Sequence, residues 1–204
     1  MPALLLLALA ALAQSPRMQL DPARDQWQRP AEVMDALRIR AGSKVADVGA
    51  GEGYFTSRLA ERVGPTGKVY AEDIDADALA RLKSAVESKG LKQVETVLGT
   101  ENDPKLPENT LDAALIVNAY HEMDEHDAML RGIFRALKPG ALLGIIDKES
   151  DSGHPRDWYH SHHRIALEIV KQEAEKNGFR FVGTRPGFTR ADDGSKWWFA
   201  VFEK

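Results

Sequence analysis

The chain of 204 residues contains no cysteine. That excludes disulfides, thiolate metal sites and a cysteine nucleophile, and it leaves the compartment undecided, because an absent disulfide says nothing about redox surroundings. An excess of positive charge is also missing. Lysines and arginines number 27 against 31 acids, for a net charge of −4; the two signs are interspersed, so no general nucleic-acid partner is expected. There is no internal repeat and no compositionally simple tract. A membrane-spanning run is lacking too: the apolar stretch Ala3 to Ala13 falls short of the about 20 residues a spanning helix needs. It has the length of a signal h-region, and Ala11-Leu12-Ala13 fits small-x-small cleavage, although no Lys or Arg precedes it. The reading is an export signal over residues 1–13, implying a periplasmic or secreted protein, followed by one domain over residues 14–204. A mis-assigned start or a buried N-terminal helix is the alternative, and the protein would then be cytoplasmic.

What is present alternates. Asp21 to Arg40 has a helical apolar face in Val33, Met34, Leu37 and Ile39, with Pro30 at a helix start. "KVADVG" reads as a buried strand running into a glycine turn, and Thr56 to Val63 as the helix after it. "KVYAEDID" is a second strand with an acidic end, Asp77 to Lys89 a helix, and Val94 to Leu98 a third strand. "LDAALIVN" is apolar enough for a central strand covered on both faces. Glu125 to Leu137 is a helix, "ALLGIID" a fifth strand, and Trp158 to Asn177 one long helix. "FRFVGT" and "KWWFAVFEK" close the chain as an antiparallel pair, with one tryptophan expected in the core. The fold class is α/β: a Rossmann-like, doubly wound sheet of seven strands, mostly parallel, with an antiparallel C-terminal hairpin strand. Ligands bind such sheets outside the carboxyl ends of the strands.

The glycine turn is defined by a glycine it lacks. A dinucleotide fingerprint, G-x-G-x-x-G, needs its third glycine where this chain has Tyr54; the glycines here are Gly49, Gly51 and Gly53. Asp47 and Glu52 flank the turn and would repel a pyrophosphate, whereas a sulfonium and an ammonium group would be attracted. S-adenosylmethionine is therefore the better guest. Glu72 and Asp73 follow the turn by about 20 residues, the distance at which an acid reaches a ribose diol. Strand neighbours point to opposite faces, so one of the two is expected to face the ligand, and Asp73 is the choice.

These segments resemble the class I S-adenosylmethionine-dependent methyltransferases. "VADVGAGEGYF" is similar to the family's motif I and "GKVYAEDID" to its second-strand acidic motif. "LPENTLDAALIVNAYHEM" is similar to its fourth-strand segment, and "LRGIFRALKPGALLGIIDKE" to its helix, Lys-Pro-Gly turn and fifth strand. The similarity covers roughly Trp27 to Glu149. The resemblance implies that Asp47, Gly49, Ala50, Gly51 and Gly53 wrap the methionyl part of S-adenosylmethionine. It implies that Asp73 takes the ribose, that Ile74 lies against the adenine, and that Asn118 stands beside the cofactor. Asp103, with Asn102 as the alternative, would meet the adenine amino group.

Methyl transfer is an in-line displacement, so positioning supplies most of the catalysis and a base is needed only for an acceptor that must lose its proton early. "NAYHEM" puts His121 forward as candidate base and Tyr120 as candidate positioning group; capping of the next turn by His121 with Glu122 or Asp124 is the alternative. The cluster His154, His160, His162 and His163 is more simply a solvated helix start than a metal site, which would need three or four converging ligands, and no metal is assigned. The expected acceptor is a small molecule. An NAD-dependent oxidoreductase and a non-catalytic, exported binder of an adenosyl metabolite are the competing functions.

Overall fold

The computed structural model describes residues 21–185 and 194–204. The export signal expected over residues 1–13 lies outside the described residues, as does most of the turn "RADDGS".

One sheet of seven strands organises the molecule: β1 (Lys44–Val48), β2 (Lys68–Asp73), β3 (Val94–Leu98), β4 (Leu111–Val117), β5 (Leu137–Lys148), β6 (Arg180–Thr184) and β7 (Trp197–Glu203). Their spatial order is β3-β2-β1-β4-β5-β7-β6. The first five strands are parallel; β7 runs antiparallel between β5 and β6. The helices are α1 (Pro22–Gln28), α2 (Pro30–Ala36), α3 (Tyr54–Val63), α4 (Ala76–Ser88), α5 (His126–Ala136), α6 (Arg156–Ser161) and α7 (Leu167–Lys176), with a 3-10 turn at Tyr120–Glu122.

Alternation along the strands builds two cores. Val45 and Leu115 pack with α2 and α3 through Val33, Leu37, Phe55 and Leu59, while Ala46 and Ile116 pack with α5 and α7 through Leu130, Ile133 and Val170. Both neighbours Leu115 and Ile116 are fully buried, as a strand covered on both faces requires; each such side chain contributes about 1.5–3 kcal/mol of burial. The same rule corrects the expectation for the tryptophans. Trp197 enters one core and Trp198 the other, because β7 is an interior strand.

Two single helices of the sequence reading are each broken in two. The N-terminal one is interrupted at Arg29, whose φ is 42°. Pro30 follows it, and a residue before proline is driven out of the helical region. The stretch Trp158 to Asn177 breaks between α6 and α7, because the chain is drawn back to the sheet there. The Ile165 amide donates to the Lys148 carbonyl at 3.1 Å, and the Trp198 indole N–H donates to the Ile165 carbonyl at 3.0 Å. His163 sits in this break with φ 50°.

Candidate active site

The strand order reverses at β1, between β2 and β4, and the carboxyl ends of these strands open into a cavity of about 590 Å³, the size of a cofactor pocket. One half of its wall is the glycine turn. Gly53, at the start of α3, has φ 84° and would place a Cβ 2.3 Å from Leu82 Cδ1, so a side chain there is excluded by both backbone and packing. Gly51, with φ 53°, would meet nothing within 4 Å; it is bare because it borders the cavity. The turn is tied to β2 twice. The Ala50 amide donates to the Glu72 carbonyl at 2.9 Å, and the Gly51 amide donates to Asp73 Oδ2 at 2.8 Å.

Asp47, Glu72 and Asp73 stand at the strand ends of this wall, with Glu52 and Glu101 also on its lining. Asp47 accepts a 2.6 Å hydrogen bond from the Thr56 hydroxyl, yet burial pushes its carboxyl up to about 6. Burial, with Asp73 adding repulsion, pushes Glu72 up to about 8, and its Oε1 is buried without a hydrogen-bond partner among the described residues. Both acids of the pair line the cavity, not one, because Asp73 is the last residue of β2, where the pleat gives way to a turn: its Oδ1 accepts from the Asp75 amide at 2.9 Å. Ile74, 55% exposed on the same wall, is an apolar surface suited to a flat ring.

Tyr54 roofs the turn. Its ring is sandwiched between the Arg24 and Arg58 guanidinium groups, each 3.8 Å from the centroid, and its hydroxyl donates to Asp25 Oδ1 at 2.6 Å. Arg58 also pairs with Asp25. In this way α1 is fastened over the site and Arg24 reaches the cavity. Nothing in the sequence around Arg24 signals this, since the contact joins distant segments.

The other half of the wall follows β4. Asn118 lines the cavity with φ 55°. Beyond it, Glu122, Met123 and Asp124, together with His160 of α6, complete the lining. Tyr120 and His121 do not reach the cavity wall. Tyr120 is fully buried, and its hydroxyl donates to Glu173 Oε2 at 2.8 Å, so it anchors the 3-10 turn from behind. His121 is fully buried as well, with Nδ1 2.9 and 3.0 Å from the two carboxylate oxygens of Asp147 at the end of β5. Its Nε2 lies 3.4 Å from Glu122 Oε1, a distance at which charges attract without hydrogen-bond alignment. Burial alone would disfavour the imidazolium, but Asp147 and Glu122 together outweigh it and push His121 up to about 9. Glu122 is held below the usual carboxylate range, first by His121. Arg156 braces this segment: Nη2 donates to the Tyr120 and Met123 carbonyls at 2.9 and 2.7 Å, and Nη1 to Glu173.

In the loop after β3, Thr100 and Glu101 border the cavity, whereas Asp103 does not. The Asp103 carboxylate accepts from the Lys105 amide at 2.9 Å and shapes its own loop. Asn102 likewise accepts from the Thr100 hydroxyl at 3.0 Å.

The arrangement fits S-adenosylmethionine on a direct ground. A buried, unpartnered Glu72 oxygen and two carboxyls raised by burial form a pocket short of positive charge, which a cationic ligand supplies and a pyrophosphate does not. The comparisons agree. A family profile described as "Methyltransferase domain" matches residues 45–140. The chain is similar to a SAM-dependent methyltransferase from Aquifex aeolicus whose crystal structure superposes with a TM-score of 0.73 at 30% identity, covering 89% of this chain and 93% of that one. It is 31% identical over 122 residues to the ubiquinone/menaquinone biosynthesis C-methyltransferase of Pasteurella multocida, covering 59% of this chain and 45% of that protein. It is 30% identical over 122 residues to the demethylmenaquinone methyltransferase of Listeria welshimeri, covering 60% and 51%. The chain thus spans about half the length of the curated relatives it matches. It belongs to the class I S-adenosylmethionine-dependent methyltransferases.

Proposed function

We propose that this protein transfers a methyl group from S-adenosylmethionine to a small-molecule acceptor. One observation carries the reading: a single cavity joins the carboxylate-lined glycine turn to the segment Glu122–Asp124 and His160. Cofactor and acceptor would therefore meet across one space without a further domain. Asp47, Gly49, Ala50 and Gly51 would hold the methionyl part, with Gly53 setting the turn. Asp73 would hold the ribose, Ile74 the adenine, and Asn118 would flank the reacting end. Bound there, the cofactor supplies a methyl carbon activated by its sulfonium.

The chain's own contribution is then largely alignment. Glu122 and Asp124 present carboxylates to the acceptor half of the cavity, and Met123 and Met129 give it apolar surface. His121, gripped by Asp147, stands one step behind and fixes Glu122, so a role as base would need it to act through the wall it supports. The names of the curated relatives make quinol-type compounds the first acceptors to screen.

Incubation with methyl-labelled cofactor and acceptor pools, quinol-type compounds and a metabolite extract included, tests the proposal. Label is expected in a small molecule, and His121→Ala is expected to lower turnover while cofactor affinity stays unchanged. Tight cofactor binding with no transfer to any pool would instead mark a binding protein. Preference for a nicotinamide dinucleotide over S-adenosylmethionine would overturn the reading entirely.

A further inference from the structure

Beside the cavity, three side chains from two segments, the 3-10 turn and the break before α7, bring donor atoms together. We propose that His121, Glu122 and His163 form a binding site for a divalent metal ion of the zinc class.

The geometry starts from His121. Asp147 occupies Nδ1, so the opposite nitrogen, Nε2, carries the free valence of the ring, and it is buried without a hydrogen-bond partner among the described residues. A carboxylate behind one imidazole nitrogen, leaving the other to face outward, is the arrangement that orients metal-binding histidines and raises their basicity. Glu122 Oε1 lies 3.4 Å from His121 Nε2 and 3.4 Å from His163 Nδ1. A tetrahedral ion with bonds of about 2.0–2.1 Å sets its ligands about 3.3–3.4 Å apart. Two of the three edges are therefore already at coordination spacing. All three donor atoms fall within 4.8 Å of one another, and the remaining contraction falls to His163, whose side chain is 64% exposed and able to turn.

Backbone placement supports this. His163 occupies the break between α6 and α7 at φ 50°, a left-handed conformation uncommon outside glycine in which histidine, with asparagine and aspartate, is enriched. Its ring meets that of His121 edge-on at 5.5 Å. Continuous helix, which the sequence suggests, would have paired His163 with His160; the break turns it toward His121. Two imidazoles and one carboxylate suit zinc, cobalt or nickel over magnesium or calcium. Three protein donors leave a fourth position for water or an acceptor oxygen, and Glu122 places it at the cavity.

The test uses the full chain without a histidine tag, stripped with a chelator and dialysed. Zinc is titrated by calorimetry and cobalt by visible absorption. One zinc per chain is expected, and cobalt is expected to give the intense bands of a low-coordinate site. His163→Ala and Glu122→Gln, both at exposed positions, are each expected to weaken binding by about 10²-fold, whereas His160→Ala and His162→Ala leave it intact. No binding, unchanged affinity in His163→Ala, or loss in the His160 and His162 variants would overturn the site. Binding of S-adenosylmethionine, measured on the same samples, separates this outcome from failure of the methyl-transfer reading.

Discussion

The two halves of the cavity wall are built by different means. On the cofactor side, one short segment and the next strand's end do nearly everything: residues 47–56 make the turn, and Glu72 to Ile74 meet it through two hydrogen bonds. On the proposed acceptor side, no short segment suffices. The 3-10 turn at Tyr120–Glu122 is held by Asp147 from β5, Arg156 from α6 and Glu173 from α7. The first wall is local and electrostatically unfinished, with buried carboxyls awaiting positive charge. The second is assembled from distant elements whose charges are mostly paired before any ligand arrives. A turn that is specified locally keeps its shape when the rest of the protein changes; a wall braced from three elements is free to be re-cut for a different acceptor.

Mutations that separate the two walls sharpen this contrast. The largest effect is expected from Asp73→Ala, which removes the proposed ribose partner and the tie to the Gly51 amide together; cofactor affinity by calorimetry should fall about 10²-fold, the worth of one or two charged hydrogen bonds. Unchanged affinity would take the ribose off this residue. Next comes the pH dependence of the apoprotein. Glu72 is held at about 8 in the folded state, above the ordinary carboxylate value, so the native protein keeps a proton the unfolded chain has released. Stability therefore falls as pH rises from about 4.5 through about 8, by a few kcal/mol at most. Glu72→Gln should flatten that slope in urea melts, and saturating cofactor should reduce it in the parent protein. A slope unaltered in Glu72→Gln would assign it elsewhere.

On the acceptor wall, Arg156→Ala strips two carbonyls and leaves Glu173 without its guanidinium partner. A loss of about 2–3 kcal/mol is expected, with turnover reduced more than cofactor affinity. Equal loss of both would mean the walls are not separable. The smallest change is Ile74→Ala. Because the side chain is exposed, stability should stay within about 0.5 kcal/mol, while cofactor affinity drops by roughly 3–10-fold for the lost apolar contact.

The same contrast decides what could be read from sequence. β3 was legible to the residue, and the glycine turn, the acidic end of β2 and the order of strands and helices were legible too, because each is written in neighbouring residues: turn glycines, alternation, an acid about 20 residues on. Glu122 was visible only as a capping partner of His121. Arg24, Arg156 and the pairing of His121 with Asp147 were not legible, since each spans two elements far apart in the chain. The break at His163 was hidden for a related reason. The residues from Trp158 to Asn177 are acceptable to a helix, and only the hydrogen bonds of Ile165 to Lys148 and Trp198 interrupt it.

The position of β7 has a consequence for how the molecule is completed. It is inserted between β5 and β6, so β6 emerges during synthesis with no sheet neighbour, and the flank of β5 from Leu142 to Lys148 stays bare until residues 197–203 arrive. From Leu142 to Ile146 that flank carries no charged side chain, and it is an open template for another chain's strand. A form lacking those few residues is thus predisposed to clump, and β7, the last strand of this sheet in chain order, is the one that closes it against its own copies.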